Sequence, residues 1–427
     1  MQSSAPLEYA RGSGRPGSAM LILWLVVLSD MIGFGVIIPS LPLYAREYDA
    51  SPLQVALLFS LFSACQFVAG PVMGLISDRF GRRPVLALSQ VGTVAGYLLL
   101  GWTMIHQWQN TQLALLLMYL SRVIDGISGG NISAAHAYIG DISTPENRAA
   151  RMGLLGAAFG IGFSAGPALG GVLSLIHHAA PAFGAAALSG VACAMTIAFL
   201  PESRKPGAHS SRNDWWHPSH FMPVLRQPVI GQLLLVGFAS MLAFVMLEPY
   251  FALYLSEVFD YGYVAVNWFF ALVGVIIVIV QAGLIGPLVR ALGEWRLLIA
   301  GPLIAALAQG IYFYAAMRAS VSAVIVATVL NAVGRSLWWP TQSSLVSQSA
   351  GPDAQGITFG VMHALMSLSR VIGPVVAGAV FIGHVTAPFL LAGAILASSA
   401  VWLASVRLRQ SRPVAAQPVA ATTEAAP

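Results

Sequence analysis

Twelve apolar stretches of roughly 20 residues, separated by short polar turns, run from Met20 to Val406 and decide what this chain can become. They are 19–44, 53–76, 84–104, 113–139, 151–176, 181–200, 229–255, 263–288, 297–316, 321–346, 359–382 and 386–406. A helix of that length crosses ~30 Å of hydrocarbon. Barrel strands would instead alternate polar and apolar residues at every second position, and in lipid a helix satisfies its own backbone. Composition agrees, with 57% of the 427 residues hydrophobic and only 9% charged, against roughly a quarter charged in soluble domains. The expected fold is an all-α membrane protein with twelve transmembrane helices, named spans 1 to 12 below.

A net charge of +5 raises the question of nucleic acid, and its distribution answers it. With both termini inside, the cytoplasmic segments hold sixteen of the 21 Lys and Arg, whereas the outer loops hold only Arg46 and Arg318. Three more, Arg122, Arg335 and Arg370, lie within spans. This bias sets orientation in a membrane and predicts no nucleic-acid partner. Arg11 and Arg15 ahead of an apolar run imitate a signal peptide. Asp30 and the Pro39/Pro42 pair then follow without a small-residue cleavage site, so the first span is expected to remain. Cys65 and Cys193 fall in apolar spans and read as packing residues.

Residues 201–228 are polar and proline-rich and divide the spans six and six. The halves look duplicated. Pro145 and Gly153, in the segment entering span 5, recur as Pro352 and Gly360 in the segment entering span 11, and Gly166-Pro167 recurs as Gly373-Pro374, all at an offset of 207 residues. Gly74 and Gly81 after span 2 recur as Gly286 and Gly293 after span 8. The domain expectation is a cytoplasmic tail 1–18, a six-helix bundle 19–200, a cytoplasmic linker 201–228, a second bundle 229–406 and a tail 407–427. Low complexity predicts disorder in both tails. Repeated bundles of this kind place a substrate path between the halves near mid-membrane.

Charges inside spans are expensive and mark function. Asp30 lies about halfway along span 1. Span 4 sets Arg122, Asp125, Gly126, Gly129, Ser133 and His136 on one face of a continuous helix. Asp125 is placed either to neutralise Arg122 at i, i+3 or to handle protons beside it. Glu248 precedes Pro249 in span 7, where the proline is expected to break the helix and leave a polar site. Glu248 is accordingly expected to line the cavity and favour cationic solutes. Arg335 precedes Trp338-Trp339-Pro340, and Arg370 lies four residues before Pro374. Three acids against three arginines predict pairing across a polar cavity. Span 5 carries Gly156-xxx-Gly160 and, one register over, Ala158-xxx-Gly162-xxx-Gly166-xxx-Gly170, then Gly171. Such a small-residue stripe lets backbones touch.

Three features carry less. His217 and His220 lack the four ligands of a metal centre, so no metal is expected. His177 and His178 belong to an outer loop. Trp268-Phe269-Phe270 face lipid or core. No phosphate-cradling loop is present, so energy is expected from an ion or solute gradient, with the proton as coupling ion and no other cofactor.

The turn after span 2 reads Gly74-Leu-Ile-Ser-Asp78-Arg79-Phe-Gly81-Arg82-Arg83. Its pattern resembles the signature loop of the major facilitator superfamily of secondary transporters, in which it joins helices 2 and 3 on the cytoplasmic side. The resemblance implies two pseudo-symmetric six-helix bundles and a cytoplasmic gate of Gly74, Asp78, Arg79, Gly81, Arg82, Arg83 and Asp141. In that gate Asp78 meets the start of span 11 and the arginines reach Asp141. The second loop, with Val289-Arg290, has lost the Asp-Arg pair.

Arg122 followed by Gly126 resembles the superfamily's arginine motif, which is tied to proton handling. The string Gly156–Gly171 with Pro167 resembles its antiporter motif. Asp30 with Pro39 and Pro42, and Gln66 ahead of Gly70-Pro71, resemble twelve-helix drug:proton antiporters of the tetracycline-exporter type. The resemblance stops at spans 8 and 9, which lack the histidine and acid those exporters carry, so either Glu248 fills the acid's place or the substrate differs.

The function expected is a proton-coupled antiporter, not an enzyme, exporting a small amphipathic molecule across a bacterial inner membrane as a monomer. Asp30, Arg122, Asp125 and Glu248 would carry proton coupling. Gln66, His136, Arg335, Trp338 and Arg370 would line the substrate cavity. Export of a native metabolite such as a siderophore or sugar, a facilitator without proton coupling, and a non-transporting receptor are the alternatives.

Overall fold

The structure is a computed structural model that describes residues 16–203, 221–350 and 354–410. The expectations for most of both tails and most of the linker, with His217 and His220, lie outside those residues, as do the surroundings of Gly156 and Gly160.

The first half contains α1 (Pro16–Ile37), α2 (Leu41–Glu47), α3 (Pro52–Phe80), α4 (Arg82–Ile105), α5 (Thr111–Ser128), α6 (Ile132–Ile142), α7 (Pro145–Ser174) and α8 (Ala180–Phe199). After the short α9 (Phe221–Leu225), the second contains α10 (Ile230–Phe259), α11 (Tyr263–Val278), α12 (Ile285–Leu292), α13 (Glu294–Arg318), α14 (Val321–Ser349), α15 (Gln355–Phe381) and α16 (Ala387–Gln410). Eleven helical segments of described residues are long and apolar enough to cross a membrane. Helix α7, 30 residues long, makes the twelfth span.

Three spans are not the uninterrupted helices the sequence predicts. Span 1 stops at Ile37 and restarts at Leu41, because Pro39 has no N–H to continue the ladder. Span 4 tightens to a 3₁₀ turn over Gly129–Asn131, where two glycines weaken α-helix. Span 8 widens to a π segment over Ile279–Leu284, ahead of α12. By contrast α10 continues through Pro249, against expectation. Pro71, Pro167, Pro302, Pro340 and Pro374 also lie inside helices. Neighbouring helices support such a kinked backbone within lipid.

Packing repeats between the halves. Helix α1 packs on α7 as α10 packs on α15, and α4 on α8 as α13 on α16. The halves meet through α3 on α15 and α7 on α11, two contacts that exchange under the repeat. The repeated loops also share a device. Gly81 (φ 101°) and Gly293 (φ 79°) both hold left-handed backbone between consecutive helices, a conformation glycine takes without steric cost.

Outward-facing side chains such as Leu88, Ile176 and Val401 are largely exposed, as lipid contact requires. Trp268 faces outward too, whereas Phe270 lines the interior. Cys65 and Cys193 are free thiols.

Candidate functional site

The halves enclose a cavity of about 450 Å³. Its polar lining includes Glu248 (α10), Gln281 (the π segment), Asn331 and Arg335 (α14), and His363 and Arg370 (α15), with His136 of α6 facing them. Aromatic and apolar walls come from Phe244, Phe251, Phe270, Trp338, Trp339 and Phe389. Of the five residues predicted to line it, His136, Arg335, Trp338 and Arg370 do so. Gln66 does not. Its amide donates to the carbonyl of Gly129 (3.1 Å), freed by the 3₁₀ turn, and it lines a smaller recess around Asp30.

Glu248 is engaged. Its Oε1 accepts from Arg335 Nη2 at 3.1 Å, with both side chains mostly buried. The acid beside Pro249, expected to line the cavity, does so as half of an ion pair.

The first half holds a second polar centre. Asp30 is 9% exposed and makes no ion pair with a described residue. Gln90 Nε2 donates to one carboxylate oxygen (2.8 Å) and Asn131 Nδ2 to the other (2.9 Å). Arg122, 3% exposed, pairs instead with Asp125, Nη1 to Oδ2 at 3.0 Å, with its guanidinium over the Tyr97 ring. Removing one member of such a buried pair costs about 3–5 kcal/mol. The predicted three-against-three pairing is thus only two pairs. Asp30 is held by amides, and Arg370 has no hydrogen bond or ion pair to any described residue. Phe34 and Phe62, stacked 5.1 Å apart, wall the Asp30 recess from a small pocket that Arg122, Glu248 and Arg370 share.

Helix α7 lays its glycines against α1. A Cβ on Gly166 would stand 2.8 Å from Gly35 Cα, and one on Gly162 would collide with Met31. Farther along, Gly170 and Gly171 abut Asn267 of α11, so the same stripe reaches the opposite half. Pro167 and Gly35 both open onto the cavity.

In the loop after α3, Arg82 gathers the acids. It lies 2.5 Å from Asp78 and 3.2 Å from Asp141, and donates to Ser77 Oγ, itself bonded to the carbonyl of Gly74. Only this arginine of the three predicted meets Asp141. Arg79 lies over the Phe80 ring, and Arg83 donates to the carbonyl of Ile197. Glu202, missed by sequence reasoning, caps α4 by accepting the backbone N–H groups of Arg82 (2.9 Å) and Arg83 (3.0 Å). These contacts tie the loop within the first half. The residues just ahead of α15, where Asp78 was expected to dock, fall at 351–353, outside the described residues.

At the end assigned to the outside by the charge bias, the halves are joined directly. Arg46 pairs with Glu257 (2.9 Å), Tyr263 donates to Glu47 (2.6 Å), Tyr250 to the carbonyl of Pro52 (2.7 Å), and Asn267 to Ser40 (2.9 Å).

Residues 23–374 match the family model described as Major Facilitator Superfamily, and the chain belongs to that superfamily of membrane transporters. It is 28% identical over 371 residues to the class C tetracycline resistance protein of Escherichia coli, covering 86% of this chain and 90% of that one. It is 26% identical over 383 residues to multidrug resistance protein 2 of Bacillus subtilis strain 168, covering 87% and 92%. The human organic anion transporter MFSD10 shares its fold, with a TM-score of 0.66 at 23% identity over 91% of this chain and 99% of that one. The protein is thus a multi-pass transporter and not an enzyme.

Proposed function

We propose that this protein is a proton-coupled antiporter that exports a small amphipathic molecule from a bacterial cytoplasm by alternating access. In this reading it acts as a monomer in the inner membrane with both termini inside. Export is favoured by the drug-resistance names of the relatives. Proton coupling is carried by one observation, the amide cage around Asp30.

Gln90 and Asn131 both donate to the carboxylate, while their own oxygens, Oε1 and Oδ1, are buried without partners. A primary amide turned by half a revolution presents that oxygen instead. The cage therefore suits either form of Asp30, the anion with two donors or the acid with one acceptor. Protonation leaves no ion-pair partner stranded, which is what a reversible proton carrier needs. Arg122 is held apart from Asp30 by its ion pair with Asp125. A proton moving inward through the field contributes ~2.3 kcal/mol per 100 mV, enough to drive appreciable solute accumulation.

The test uses everted membrane vesicles energised to an acidic interior and reporting through a pH-sensitive dye. A panel of amphipathic solutes should include members that collapse part of the gradient only when the protein is present. Solute flux without any proton movement would favour the facilitator and contradict the antiporter.

A further inference from the structure

We propose that the solute is an organic anion whose charged group is held by Arg370. This rests on the reading of the interdomain cavity as the solute path. The cavity has one carboxylate and two guanidinium groups on its wall, with His136 and His363 beside them. Arg335 uses the carboxylate of Glu248. That leaves Arg370, half-buried, with no hydrogen bond or ion pair to a described residue; Glu248 and Arg335 line the same cavity. Arg122, which shares the small adjoining pocket, is already matched to Asp125. A partly desolvated guanidinium that shares its nearby carboxylate with a second arginine is undercompensated. An anionic solute supplies the missing charge, and a cation would meet a net positive wall.

Arg370 is thus the cationic group on this wall that no described side chain pairs, which suits an acceptor-bearing head group. Phe244, Phe251, Phe270 and Trp339 offer the flat apolar walls for an aromatic body. The anion and the proton keep separate places, because Asp30 lies behind Phe34 and Phe62.

The test compares two probes of one shape and opposite charge, naphthalene-2-sulfonate and N-methylquinolinium. Their binding to the whole chain in nanodiscs of neutral lipid is measured by equilibrium dialysis. The sulfonate should bind at least about tenfold tighter, the range of a charge-assisted hydrogen bond. Arg370→Gln should erase that preference, and Arg370→Lys should keep most of it, which separates lost charge from lost fold. Glu248→Gln should tighten the sulfonate further by releasing Arg335. Equal or tighter binding of the quinolinium, or an unchanged preference in Arg370→Gln, would overturn the assignment. Export of the quinolinium alone in everted vesicles would also overturn it while leaving the exporter reading intact. Sulfonate binding without solute-linked proton movement would instead sink the antiporter reading and leave the anion site standing.

Discussion

Arg46 Nη2 lies 2.9 Å from Glu257 Oε1 and joins the end of α2 in the first half to the end of α10 in the second. The side chains are 42% and 35% exposed, so water screens the pair and it contributes ~1 kcal/mol at most. A pair this weak can hold a gate without locking it.

Reversing one charge tests that role. Arg46→Glu should raise labelling of a cysteine placed at Ile38, in the cavity, by an impermeant maleimide added outside, by up to about fivefold. The background would carry Cys65→Ser and Cys193→Ser. Adding Glu257→Arg should restore the slow rate. Unchanged labelling in both would show that the remaining outer contacts suffice.

The glycine stripe of α7 should be intolerant where it touches α1. Gly166→Leu has no room against Gly35 and the carbonyl of Ile32, each 2.8 Å from its would-be Cβ. Overpacking of this kind costs about 1–3 kcal/mol. Yield of monodisperse protein and efflux should both fall. Gly140→Ala, with nothing within 4 Å of the new methyl, is the matched control and should match wild type.

In the loop after α3, Arg82 and Arg79 should separate structure from topology. Arg82 is 5% exposed and joins Asp78 to Asp141, so Arg82→Ala should reduce efflux about tenfold or more, because two partly buried carboxylates lose the cation they share. Arg79→Ala should leave efflux within about twofold, since exposed charges contribute little to stability. Equal losses in the two variants would mean that the loop acts only through its total positive charge.

Much of this was legible in the sequence, and the reasons are physical. Charges in hydrocarbon are rare enough to announce themselves, so Asp30, Arg122, Glu248, Arg335 and Arg370 could be found by inspection. Their partners could not. Gln90 and Asn131 are neutral residues of a kind that spans often carry, and they lie 60 and 101 positions from Asp30. Only the packing of α4 and the 3₁₀ turn against α1 makes them a cage. Charge counting foresaw pairs but could not say that Arg335 takes Glu248. Helix continuity at Pro249 was misjudged because proline rules learned in water overlook the support of neighbouring helices in lipid.

Asp30 is the group proposed to carry the coupled proton. Asp30→Asn keeps the shape and the hydrogen-bonding capacity of the cage but cannot titrate. The direct measurement is proton release from purified protein, followed with a pH dye on addition of a solute that the wild type exports. Wild type should release protons when the solute binds. The variant should bind the solute within about threefold, carry out solute exchange without a gradient, and release none. Proton release at the wild-type level from Asp30→Asn would mean that another group carries the coupled proton.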